Sequence, residues 1–294
     1  MPTGTDRQPY LSAASGLVQI ADLLYVVADD ELHLGVFSCL GEHAPGELVR
    51  LFDGKLPNSP AKRKKRKPDL EALVRLPAFG PYPHGGLLAL GSGSKQTRHR
   101  GALLPLTASG TVIADPQLIE LQDFHQRLVR EFDDLNIEGA AINDDALVLF
   151  QRGNKGASDN ACVSYDLRDV LESLADRKQI EGLRPRNIRY YELGEIEGVP
   201  LCFTDAASLW SGEIVFTAVA ENTEDSCHDG ACVGAAVGVL DSEGRVSRIE
   251  QLATAHKLEG IHAWSTPNGI EFLSVTDPDN PAIPGQVYHG RLPH

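Results

Sequence analysis

Four acidic residues recur in one local setting. Glu71 lies in Leu70-Glu71-Ala72-Leu73, Glu138 in Ile137-Glu138-Gly139-Ala140, Asp205 in Thr204-Asp205-Ala206-Ala207 and Glu259 in Leu258-Glu259-Gly260-Ile261. Ser15-Gly16-Leu17-Val18 has the same shape with serine in place of the acid. Brought together, four carboxylates repel one another, and protons, neighbouring cations or a bound metal must relieve the repulsion. Hard oxygen ligands without clustered histidines favour Ca²⁺ or Mg²⁺ over zinc, and no organic cofactor is indicated. The alternative is structural: each acid accepts hydrogen bonds from backbone amides of neighbouring segments and holds no ligand.

A second polar set follows the apolar run after each of these motifs: Arg98, Arg100, Arg152, Lys155, Glu221 and Asp277. Arginines beside carboxylates can grip a phosphate or carboxylate with two parallel hydrogen bonds, or can form ion pairs that only hold the structure together. The first use implies a small anionic partner. Other chemistry is poorly supported. Ser92, in Gly91-Ser92-Gly93-Ser94, lacks the strand-to-helix Gly-x-Ser-x-Gly turn of a nucleophile elbow. Cys227-His228-Asp229-Gly230-Ala231-Cys232 offers two thiols and one imidazole, an incomplete zinc set that reads as a hairpin loop.

The elements that must position these residues repeat. From Ser15 the motif positions run 15, 71, 138, 205 and 259, with spacings of 56, 67, 67 and 54 residues. Each motif opens an apolar run, and turn residues lead into another, as Asn143-Asp144-Asp145 does between Ile137–Ile142 and Ala146–Gln151. Two more short strands usually follow: 31–38 and 47–52 in the first repeat, 102–106 and 111–114 in the second, 231–240 and 246–252 in the fourth. Four antiparallel strands per unit, repeated around a ring, describe an all-β fold, a five-bladed β-propeller, with six blades if a long connection hides another. Residues 1–294 then form a single domain, with repeats near 15–69, 70–135, 136–202, 203–257 and 258–294. The segment 7–13 would supply the outer strand missing from the last blade and protect its open edge. Phe124, Leu128 and Phe132, and Val170, Leu171 and Leu174, have helical spacing and predict two short helical insertions.

The chain carries 27 Lys+Arg against 41 Asp+Glu, a formal charge of −14, which argues against nucleic acid and anionic membrane as partners. No apolar run approaches the ~20 residues of a membrane span, and the N-terminus lacks a signal-peptide pattern. Five scattered cysteines do not form a secreted disulfide framework. Together these predict a cytoplasmic protein. The run Lys62–Lys67, KRKKRK, reads as a solvated loop, or alternatively as an electropositive lip that draws an anion toward the ring.

Three of the motif segments carry a family resemblance: Asp69-Leu70-Glu71-Ala72-Leu73 with Leu90-Gly91-Ser92-Gly93-Ser94, Asn136-Ile137-Glu138-Gly139-Ala140 with Gln151-Arg152-Gly153, and Leu258-Glu259-Gly260-Ile261 with Thr276-Asp277. In repeat pattern the chain resembles the bacterial phytase-like propellers, some described as having phytase-like esterase activity. The resemblance implies a propeller and an axial divalent ion, and extends to hydrolysis. The leading expectation is therefore a propeller that binds a ligand at a polar, ion-compatible channel mouth. The alternatives are a metal-dependent hydrolase of phosphoesters or carboxyl esters, with Arg98, Arg100 and Arg152 holding the anion, and an interaction scaffold that docks a protein on one propeller face.

Overall fold

The computed structural model describes residues 10–39, 45–154, 156, 159–177, 179–224 and 230–294. Five antiparallel sheets follow one another along the chain. The first is β1 (Ala14–Ile20), β2 (Leu23–Ala28), β3 (His33–Ser38) and β4 (Glu47–Arg50); a short helix, α1 (Pro60–Lys64), leads to the second. That sheet is β5 (Leu70–Leu76), β6 (Gly86–Gly91), β7 (Arg100–Pro105) and β8 (Gln117–Glu120), followed by α2 (Gln122–Leu128). The third is β9 (Ile137–Asn143), β10 (Ala146–Gln151), β11 (Asn160–Asp166) and, beyond α3 (Leu167–Arg177), β12 (Asn187–Tyr191). A two-residue strand, β13 (Glu195–Ile196), edges the fourth, which continues as β14 (Val199–Ser208), β15 (Ile214–Asn222), β16 (Ala231–Leu240) and β17 (Val246–Gln251). The fifth is β18 (Leu258–Thr266), β19 (Gly269–Thr276) and β20 (Val287–Pro293). β1 packs on β5, β5 on β9, β9 on β14, β14 on β18, and β18 returns to β1. The chain is a five-bladed β-propeller, as its repeats predict.

The strands form where they do because each inner blade face is covered by the next blade. β6 is buried along its whole length and β15 along all but its last residue, so they read as continuous apolar runs rather than alternating ones. Cores therefore lie between blades. Phe150, Phe203 and Phe216 meet edge to face between the third and fourth, with ring centres 5.2 and 5.0 Å apart. At the predicted hairpin turn, Asp144 takes a left-handed φ of 50°, which Asp tolerates better than most side chains.

Two outer-strand expectations change. In the second blade the fourth strand is Gln117–Glu120, because residues 106 and 112 bridge to each other and close a small hairpin around the predicted strand 111–114. The closing segment 7–13 begins outside the described residues. Its described part forms no strand, but it ties to the last blade through the Gly285 amide, which donates to the Leu11 carbonyl at 2.8 Å.

In all five innermost strands the pairing slips where the motif sits: between Ala14 and Gly16, Leu70 and Ala72, Ile137 and Gly139, Phe203 and Asp205, and Leu258 and Ile261. A β-bulge leaves its extra residue out of the ladder and re-aims that side chain. The residues released are Ser15, Glu71, Glu138, Thr204 and, with Gly260, Glu259. By register Thr204 is thus the fourth-blade equivalent of the glutamates, and Asp205 stands one residue further along.

Candidate functional site

The bulges bring Ser15, Glu71, Glu138 and Glu259 to one end of the central channel, where they line a cavity of about 70 Å³. Thr204 turns its hydroxyl to the Leu258 carbonyl at 2.7 Å and tethers the fourth blade to the fifth. Asp205 does not line the cavity. Its carboxylate is fully buried on the channel axis, where Oδ2 accepts the Ile261 amide at 2.9 Å. Burial raises its pKa well above the ordinary value, opposed by the amides of Ile261, Ala206, Leu17 and Ala140, which belong to four blades. Small residues surround it for a steric reason. A Cβ on Gly139 would lie 2.8 Å from the Asp205 Cα, and one on Gly260 would lie 2.6 Å from the Leu17 nitrogen.

Of the second polar set, Arg98, Arg152, Glu221 and Asp277 reach the cavity wall. Arg100 does not. Its Nε donates to the Thr97 carbonyl at 2.9 Å and its guanidinium lies over the Phe52 ring, 5.3 Å from the centre. Lys155 lies outside the described residues, as do Cys227 and His228. Arg152 is the hub of one ion-pair group: it reaches Glu221 at 2.5 Å, Glu138 at 3.4 Å and Glu259 at 3.8 Å. Lys257 meets Asp279 at 2.7 Å, Glu221 at 3.6 Å and Glu259 at 3.7 Å. A second group centres on Asp69. Its Oδ2 takes Arg98 at 2.6 Å and the Ser92 hydroxyl at 2.5 Å, and its Oδ1 takes the Lys67 ammonium at 2.8 Å, while Lys67 also bonds Asp29.

The basic run is therefore not simply a solvated loop. Its last residue, Lys67, is buried in the mouth, Lys64 lines the cavity, and Arg63 pairs with Asp30 at 3.0 Å. Lys67, Asp69 and Lys257 are site residues that motif reading missed. The available signal was position, since Lys67 and Asp69 immediately precede the Leu70-Glu71 motif and Lys257 immediately precedes Leu258-Glu259.

Protonation in the mouth is set mainly by burial. Burial pushes Glu71 well above the ordinary glutamate value, and the nearby charges of Glu138, Asp69 and Asp29 add to the rise while Lys67 opposes it. Glu259 is likewise raised well above its usual value by burial, against Lys257 and Arg152. Glu138 is raised by burial despite the same two cations. In Glu221 burial also pushes upward, but Arg152 and Lys257 outweigh it and hold the carboxyl below its usual value. Burial takes Asp277 up to about 7. Among the described residues no hydrogen bond or ion pair reaches the Glu71 carboxylate, and Oε2 of Glu259 has no hydrogen-bond partner. Asp29, Asp69 and Glu71 each offer an oxygen, and these three atoms lie within 4.8 Å of one another. They could hold a metal ion.

A family profile matches residues 10–292. The chain belongs to DUF6929, a family of unknown function. No curated protein sequence matches it. Among solved structures, a luciferin-regenerating enzyme is similar over 96% of this chain and 92% of its own, at 12% identity and a TM-score of 0.47. A candidate gluconolactonase is similar over 76% of this chain and 62% of its own, at 14% identity and a TM-score of 0.34. The N-terminal domain of Nup159 is similar over 95% and 61%, at 11% identity and a TM-score of 0.37. Scores at this level carry no argument about what a DUF6929 chain binds or does. The expected propeller fold is supported, and none of these comparisons supports the phytase-like resemblance.

Proposed function

We propose that this DUF6929 propeller binds a small polar ligand at the mouth of its central channel. The observation that carries the reading is the pair of underpartnered acids, Glu71 and Glu259, both more than nine-tenths buried at the cavity wall. A buried carboxylate without donors costs free energy unless it is protonated or supplied with a donor or a positive charge. Arg98, Arg152 and Lys257 already reach carboxylates, so the mouth lacks a donor or cation rather than an anion. For the same reason ligand binding is favoured over ester hydrolysis, where these arginines would have to hold an anionic substrate.

The test is thermal unfolding against a panel of small polar compounds and ions, since a ligand that binds only the folded state raises its melting temperature. We expect at least one class to stabilise the wild-type chain and to lose that effect in Glu259→Gln. If no compound in the panel shifts the wild type, or if every shift survives in Glu259→Gln, the reading fails.

A further inference from the structure

We infer that the ligand taken by the mouth is a hard divalent cation of calcium's size, seated among Asp29, Asp69 and Glu71 in exchange for the Lys67 ammonium. The inference rests on the reading above and names its ligand class. Two observations support it beyond the mere count of acids. One is Glu71, buried to 9% exposure and unpartnered among the described residues, with its side chain at the cavity wall. The other is Lys67, whose ammonium bonds both remaining members of the triad and so already holds a positive charge at the place a metal would fill.

The spacing admits calcium. Calcium–oxygen bonds of ~2.3–2.6 Å let one ion reach oxygens up to ~4.6–5.2 Å apart, which accommodates a triad spanning as much as 4.8 Å. Magnesium demands near-ideal octahedral geometry and usually keeps several waters, whereas calcium's more flexible shell suits carboxylates from separate loops. The site is also pre-organised. Arg98 and Ser92 hold the far oxygen of Asp69, so its near oxygen faces Lys67 without having to turn.

Lys67 can leave without unfolding what carries it. It follows the short helix α1, its backbone amide bonds the Arg63 carbonyl at 2.8 Å, and Arg63 anchors the segment on Asp30. A flexible lysine stem can therefore swing outward while this anchor stays in place. The electrostatics favour the exchange. The dication would bring a second positive charge to Asp29, Asp69 and Glu71, where the Lys67 ammonium bonds Asp29 and Asp69 but does not reach Glu71. The basic run thus acts as a resident counter-ion that keeps the apo site closed and that calcium must displace.

The experiment is calorimetric titration of CaCl₂ and MgCl₂ into chelator-stripped full-length protein, as wild type, Lys67→Met, Glu71→Gln and the double variant. Removing the competitor should tighten calcium binding in Lys67→Met at least ~10-fold over wild type, with magnesium weaker. Glu71→Gln should weaken calcium binding ~10-fold or more in either background. In parallel, amine-reactive labelling of Lys67 in the wild type, read by mass spectrometry, should rise when calcium is added. Calcium affinity in Lys67→Met no tighter than in wild type, or no calcium binding in either, overturns the inference. If Lys67→Met does not fold, the labelling decides alone, and a Lys67 whose reactivity ignores calcium overturns it. A ligand shift that depends on Glu259 without any calcium response would sink the calcium exchange and leave the polar-ligand reading standing.

Discussion

Replacing Asp205 with alanine takes away the acceptor on which the axis of the ring converges. The Ile261 amide loses a 2.9 Å hydrogen bond, and the amides of Ala206, Leu17 and Ala140 lose the carboxylate they face. An orphaned buried donor costs ~1–3 kcal/mol. One direct bond is lost, and Oδ1 of Asp205 takes none, so the expected destabilisation is about 1–3 kcal/mol, less whatever a water entering the gap restores. Asp205→Asn keeps one acceptor for Ile261 and should cost much less. The two variants also differ in pH dependence. Because burial raises the folded-state pKa of Asp205, the folded wild type binds a proton that the unfolded chain has already released, so this group's contribution falls as pH rises above its unfolded pKa. The asparagine lacks that titration. Its deficit relative to wild type should therefore shrink as pH rises. Equilibrium urea unfolding followed by circular dichroism measures all three chains. If Asp205→Ala unfolds within about 1 kcal/mol of wild type at neutral pH, the carboxylate does not hold the axis together and the reasoning is wrong.

Three further outcomes follow from the same geometry. Between about pH 6.5 and about pH 8 stability should fall as pH rises, because the folded chain keeps protons on Asp277, pushed up to about 7, and on the raised mouth glutamates. His125 and His262, lowered to about 3 and about 4, act in the opposite direction only below their unfolded value of 6.5; urea unfolding across the window should show the fall, shallower in Asp277→Asn. Arg152→Met leaves Glu138, Glu221 and Glu259 without their shared cation and should cost ~3–5 kcal/mol, again read by urea unfolding; a neutral result would mean those acids are protonated and the ion pairs idle. Gly139→Ala pushes a methyl against the Asp205 backbone at 2.8 Å and should destabilise by ~1–3 kcal/mol, whereas Gly182→Ala, with open space at its Cβ, should lose only the smaller cost of its left-handed φ of 72°.

The ring was legible because its signal is carried by what blade packing demands of every innermost strand: an apolar run, a small residue and a turn, five times over. What the sequence hid was register. In Thr204-Asp205-Ala206 and Glu138-Gly139-Ala140 the acids look equivalent, but side chains in a strand change face with every residue, so an offset of one sends Asp205 to the axis and Thr204 to the bulge. Lys67 was hidden for another reason. Composition says that six consecutive basic residues belong in water, and only the fold brings the last of them to Asp29, 38 positions earlier. Arg152 and Glu221 are likewise 69 residues apart and meet because their blades are neighbours. Arg100, chosen with Arg98 for its charge, faces the other way because the chain turns at the single residue between them, His99, from a 3₁₀ segment into β7.

The one-residue offset also explains how the channel can carry so many acids. Each bulge frees one side chain toward the mouth and points the amides that follow it toward the axis, so a closed ring concentrates donors below a layer of released side chains. Those donors need an acceptor, and the fourth blade supplies Asp205, while the other four blades keep Gly16, Ala72, Gly139 and Gly260 at the equivalent position. With the fourth-blade acid used inside, its bulge position is left to a neutral Thr204, and three bulges rather than four send a glutamate to the mouth. Asp69 and Asp29 then complete an acidic pocket on the side of the first two blades, while Arg152 and Lys257 neutralise the opposite side. The unequal distribution leaves Glu71, between the two ion-pair groups, as the acid without a direct partner among the described residues. A substitution that gives it one from within the chain, such as Ser15→Lys on the neighbouring bulge, should lower the Glu71 pKa and stabilise the fold at alkaline pH, and it should abolish any cation response of the mouth. Unchanged cation binding in that variant would show that the ligand does not depend on Glu71.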